Sequence, residues 1–178
     1  NGIVDANALT LNATSTTKID TFGLTGTVSV AVGGGGALSG AAAGTEVTNT
    51  IENTIQAYIQ NDSDIDTHQD ISLLATDHST IETFAIGGSI AISGGSGSGS
   101  AAIGTVILDN DISNTVQAFV GDTSADSTRV KAGDDLLLMA ESTLTLTKNT
   151  AVAASLAASK SPAGVSLSGA GASVDITT

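Results

Sequence analysis

Apolar and polar residues alternate one by one along most of this chain, the period of two that a half-buried strand requires. Leu9-Thr-Leu11 and Leu144-Thr-Leu146-Thr147 show it plainly. In Ile55-Gln-Ala-Tyr-Ile59, Ile55, Ala57 and Ile59 take one side while Gln56 and Tyr58 take the other. Val28, Val30 and Val32 point one way and Ser29 and Ala31 the other. One face there carries branched apolar groups, and the other is small enough for a neighbouring layer to sit close. Thr-rich stretches over 14–21, 76–83 and 141–150 extend the preference, because branched Thr favours extended backbone and its hydroxyl tolerates solvent.

The strand pattern repeats. Ile51-Glu-Asn-Thr-Ile-Gln-Ala-Tyr-Ile59 returns 61 residues later as Ile112-Ser-Asn-Thr-Val-Gln-Ala-Phe-Val120. Ile3–Ala13 has relatives in Ile65–Ala75 and Val130–Ala140, so the array has three starts, with approximate units 3–64, 65–129 and 130–178. Each unit reads as an apolar start, a polar turn such as Ala132-Gly-Asp-Asp135, a Thr-rich strand, a Gly/Ala strand, and a glycine run. Gly33–Gly36 and Gly94–Gly99 recur at the repeat period and lack the context of a phosphate loop, so they predict tight turns between long strands. With Leu167 aligned on Leu38, the third unit lacks the nonapeptide, which reads as a fragment of a longer array or a subunit completed by its neighbour. A period near 62 residues carried by β patterning marks a repeat architecture.

Composition narrows the choice. Aromatics are 2 % of residues and Gly numbers 21, with Trp and Cys absent, too few large side chains to fill an ordinary globular interior. Such a chain suits thin layers whose backbones approach closely, as stacked coils allow. The net charge of −13 and five scattered basic residues disfavour nucleic acid. Absent cysteine excludes a disulfide scaffold and a thiol nucleophile. No apolar run approaches the roughly 20 residues that span a bilayer as a helix, so no membrane insertion is expected.

Ala57-Tyr58-Ile59 and Ala118-Phe119-Val120 close their units, followed by an Asp/Gly-rich turn, a Thr-rich strand and a Gly/Ala–Val strand. This combination resembles the repeats of very large bacterial exoproteins, the filamentous adhesins of the leukotoxin-like family and related β-repeat surface proteins. The resemblance covers nearly the whole chain and rests on composition. It implies a secreted or cell-surface fibre built from β-solenoid-like repeats, and it supplies no catalytic residues to carry over.

Candidate chemistry is sparse. Acidic residues gather at Asp62, Asp64 and Asp66, at Asp109 and Asp111, and at Asp122 and Asp126, which reads as turns whose oxygens could hold calcium. No EF-hand loop is present, and Asp and Asn also populate turns because they hydrogen-bond their own backbone. Asn49 and Asn53 recur as Asn110 and Asn114, a spacing suited to turn caps or stacked amide ladders. Tyr58 and Phe119 occupy equivalent places and are assigned with those asparagines to structure. His68 and His78 recur in no other copy, so they do not read as a metal pair. The reading is an all-β repeat protein, a β-solenoid, with β-sandwich-like stacked sheets as the alternative. It is a non-enzymatic structural or adhesive filament segment without a required cofactor, whose partners are copies of itself and a host surface or glycan. A calcium-dependent or ice-binding module is the alternative function.

Overall fold

A computed structural model describes residues 2–121, 127–160 and 163–177, the last stretch as backbone. The chain is an all-β parallel solenoid of three coils. The first comprises β1 (Gly2–Ala6), β2 (Leu9–Val32) and β3 (Leu38–Gln60). The second comprises β4 (Ser63–Thr67), β5 (Ile71–Gly94) and β6 (Gly99–Gly121), and the third β7 (Arg129–Lys131), β8 (Leu136–Ser159) and β9 (Ala163–Thr177). Each coil gives one strand to each of three parallel sheets, ordered β1-β4-β7, β2-β5-β8 and β3-β6-β9. The last two are long sheets lying face to face. The short sheet joins them at one end, called here the base, and the glycine turns join them at the other, the tip.

Registers follow the repeat. Ile51 pairs with Ile112 and Tyr58 with Phe119, with no shift between β3 and β6. The glycine runs form the tip turns, where Gly36, Gly95 and Gly97 take positive φ, a backbone region glycine enters without steric penalty. Three expectations are corrected. The Thr-rich and Gly/Ala segments run on as one strand of 24 residues in each coil, without a break in β2 and β5 and with a single irregularity in β8, where Lys148 takes a φ of 53° and the register against Glu82 and Phe84 shifts. Val4, not Ile3, pairs with Ile65, since the second coil carries one more residue at the base corner between β4 and β5. Gly99 and Ala163 align with Leu38, so Ile176 reaches a place opposite Ile112 and the third coil enters the nonapeptide region.

Inward side chains alternate between apolar cells and polar belts. Nearest the base, Ile55, Ala57, Ile59, Ile65, Ile71, Leu73 and Ala75 form one buried cluster. A belt of Asp77, Ser79, Asn53 and Asn114 follows, then Ile51, Ile81 and Ile112. A second belt of Asn49, Thr83 and Asn110 precedes the cluster of Val47, Ala85, Val106 and Leu108. Each fully buried Ile or Leu contributes about 1.5–3 kcal/mol.

Beyond that cluster the sidedness of the slab inverts. In β2 the inward positions run Leu9, Leu11, Ala13 near the base but Thr25, Thr27, Ser29 towards the tip. The outward ones run Thr14, Thr16, Lys18, Asp20 and then Phe22, Leu24, Val28, Val30, Val32. The sheets close on small residues here. A Cβ on inward Gly23 would lie 2.7 Å from Val47 Cγ2, and one on Gly87 2.8 Å from the Thr105 carbonyl oxygen. Those glycines are required by the approach of the two layers.

Candidate functional site

A hollow of about 590 Å³ at the base is lined by Asp5, Asp64, Asp66, His68, Arg129 and Lys131, and among the described residues no three acidic or histidine side chains could hold a metal ion. What the residues build instead is two internal amide ladders, a charged row at the base, and open sheet edges.

Asn49 and Asn110 share a register position, and Asn49 Nδ2 donates to Asn110 Oδ1 at 2.6 Å. Thr21 Oγ1 donates to Asn49 Oδ1, and Asn49 Nδ2 also reaches Thr83 Oγ1. Asn110 continues the ladder by donating to Asn149 Oδ1. In the second ladder the Asn53 backbone N–H donates to Asn114 Oδ1, and Asn114 Nδ2 donates to Asp77 Oδ2 at 2.6 Å. Ser79 Oγ also donates to that oxygen, whereas Asp77 Oδ1 meets no donor among the described residues. Asp77 is wholly buried, and sequence reasoning passed over it. Its one signal is an inward-parity position in β5, shared with Leu73 and Ala75.

The acidic candidates are scattered. Asp62 sits in the corner after β3 with φ of 58°. Asp64 and Asp66 lie on β4, and Asp109 and Asp111 lie mid-strand on β6 rather than in turns. Asp122 and Asp126 fall outside the described residues. Asp64 accepts from Arg129 Nη1 at 2.8 Å and Asp66 from Lys131 Nζ at 2.9 Å. The ammonium of Lys131 donating to Asp66 holds that carboxyl below its ordinary value, against a smaller opposing effect of burial. Registers stack Asp5, Asp66 and Lys131 in one row and Ile3, Asp64 and Arg129 in the next. The first coil therefore ends in an acid and the third in two cations.

Tyr58 and Phe119 face outward and stack with ring centroids 5.3 Å apart. Phe22 and Phe84 do likewise at 5.8 Å. Among the described residues the outward threonines of β2, β5 and β8 make no row across all three coils: Thr14 and Thr76 align with Glu141, and His78 stands between Thr16 and Thr143.

At the ends of the stack the sheets are unfinished. Among the described residues the outer edges of β1, β2 and β3 pair with no strand, nor do those of β7, β8 and β9. Leu136 and Leu138 occupy core-facing rows above Ile71 and Leu73, yet are 47 % and 39 % exposed. No family model, curated protein or solved structure matches this chain.

Proposed function

We propose that this chain is a structural, adhesive segment of an extracellular bacterial surface filament, with its coils continued end to end by another copy. The observation that carries the reading is the complementarity of its two ends. The third coil presents Arg129, Lys131 and the uncovered Leu136 and Leu138. The first presents Asp5 with Leu9 and Leu11 in the corresponding rows. A copy stacked on top sets Asp5 over Lys131, with Arg129 in the neighbouring row, and leucine over leucine, while unpaired backbone groups at both edges complete their ladders. The resemblance to giant filamentous adhesins points the same way, and it suggests a host surface or glycan as what the filament touches.

Asp5→Lys tests this. Within the chain the change replaces an acid stacked on Asp66, a like-charge neighbour, so the single molecule keeps its fold. Across the end it sets cation against cation. Sedimentation velocity of the native chain should show species growing with concentration, and Asp5→Lys should abolish that growth. Growth undiminished in the variant would refute end-to-end stacking in this polarity.

A further inference from the structure

The outward face of the tip half of sheet β2-β5-β8 is apolar over all three coils. Val28 is 69 % exposed, Ile90 38 % and Leu156 56 %, and these three share one row. Leu24, Ile86 and Val152 form a parallel row on the base side, and Val30, Ile92 and Ala158 one on the tip side. All-parallel sheets ordinarily have both faces covered, and none of the described residues covers the tip half of this outer face.

We propose that this face pairs side by side with the same face of a second copy, related by a two-fold axis parallel to the stack. Three observations select that occupant. The first is charge. The chain carries −13, yet Phe22–Val32, Phe84–Gly94 and Thr150–Ser159 contain no charged residue. Acids that would hold two copies apart, such as Asp20 and Glu82, lie on the base side of this boundary.

The second is self-complementarity. Between the Leu24 and Val28 rows runs a furrow of about 440 Å³ floored by Gly26, Gly88 and Ala154. A two-fold axis midway between Gly26 and Val28 seats the Val28–Ile90–Leu156 ridge of each copy in the furrow of the other. The same axis superposes the apolar span of one copy, from Phe22 to Val32, on that of its partner in the opposite direction. The charged base halves then project to opposite sides. An isologous contact of this kind closes on itself.

The third is glycine without an internal reason. A Cβ on Gly26 or Gly88 would meet nothing within 4 Å, unlike one on inward Gly23 or Gly87. Glycine inside a strand weakens it and marks close approach by something else. At these two in-register positions none of the described residues makes that approach.

The patch measures about 33 Å along the strands and about 14 Å across three of them. Pairing would bury about 900 Å² in total, below the about 1,200 Å² of a stable complex. One chain therefore pairs weakly, and end-to-end stacking, on which the strength of the contact rests, multiplies the area with each added copy.

The Asp5→Lys background, designed to block stacking, isolates the lateral contact. In that background, sedimentation equilibrium should show a weak dimer. Gly88→Val should raise its dissociation constant at least tenfold by filling the furrow, and Val28→Thr with Ile90→Thr should do the same by removing the ridge while keeping strand-forming residues. A monomer at every concentration, or Gly88→Val pairing as tightly as its parent, would overturn the proposal. So would Gly88→Val binding neutral phosphatidylcholine vesicles more tightly than its parent without any change in pairing, since lipid gains from added apolar surface where a furrow loses. If Asp5→Lys still forms rods, the stacking polarity fails on its own. Lateral pairing is then read from rod width, doubled in the parent and single in Gly88→Val.

Discussion

Asn49 and Asn110 lie one above the other on adjacent coils, both buried, and the amide of the first donates to the amide oxygen of the second. The bond can form only in the observed register, because a slip of one residue in either strand would turn its asparagine out of the core. Asn110→Ala leaves Thr83 and Asn49 short of an acceptor and should destabilise by about 1–3 kcal/mol. Asn49→Ala should do likewise. In denaturant unfolding the double variant should lose less than the two single losses combined, and strict additivity would show that the amides act independently.

Asp77 separates charge from hydrogen bonding. Asp77→Asn keeps an acceptor for Asn114 and Ser79 and carries no charge, so its thermal midpoint should equal or exceed that of the native chain. Asp77→Ala removes the acceptor and should cost about 1–3 kcal/mol. A lower midpoint for Asp77→Asn than for Asp77→Ala would mean that the carboxylate has a partner other than these two.

Neighbouring glycines should behave oppositely. Gly87→Ala puts a methyl 2.8 Å from the Thr105 carbonyl oxygen, and overpacking of this kind costs about 1–3 kcal/mol. Gly88→Ala meets only open space and should gain about 0.5–1 kcal/mol from a less flexible unfolded chain. Similar shifts for the two variants would contradict the assignment of inward and outward faces.

The base row has a pH signature. Asp66 titrates below its ordinary range because Lys131 donates to it. A carboxyl depressed in the folded state contributes stability that is present above its unfolded value and lost as pH falls through the folded one. Loss from this pair should therefore begin only in the acid region, below about pH 4. Carboxyl-carbon NMR titration should show the Asp66 midpoint move up in Lys131→Met. An unmoved midpoint would show that the ion pair does not persist in solution.

Much of the fold could be read from the chain because Ile51–Ile59 and Ile112–Val120 differ only by near-isosteric swaps and one surface position, which leaves a single plausible register. The shortfalls have physical causes. Leu167 was aligned with Leu38 because runs of Gly, Ala and Ser look alike after any even shift, and only the backbone ladder separates them. Ile3 was matched to Ile65 because an added residue in a corner leaves no mark on the hydrophobic pattern. The long strand was divided because its apolar positions change parity, from Ile19 to Phe22 in β2, and a parity change ordinarily signals a bulge or a turn. In β2 and β5 the strand runs straight on, the irregularity at Lys148 being confined to β8, and the core itself changes from large apolar groups to small polar ones. Asp109 and Asp111 were placed in a turn by residue type alone, although Leu108, Asn110 and Ile112 beside them keep the alternation of a strand.

Electron cryomicroscopy of the purified chain at rising concentration tests end-to-end stacking most directly. Rods should form with strands perpendicular to their long axis and an axial repeat of about 14 Å, three strand spacings for each added copy. Discrete particles one chain long at every concentration would contradict the filament reading.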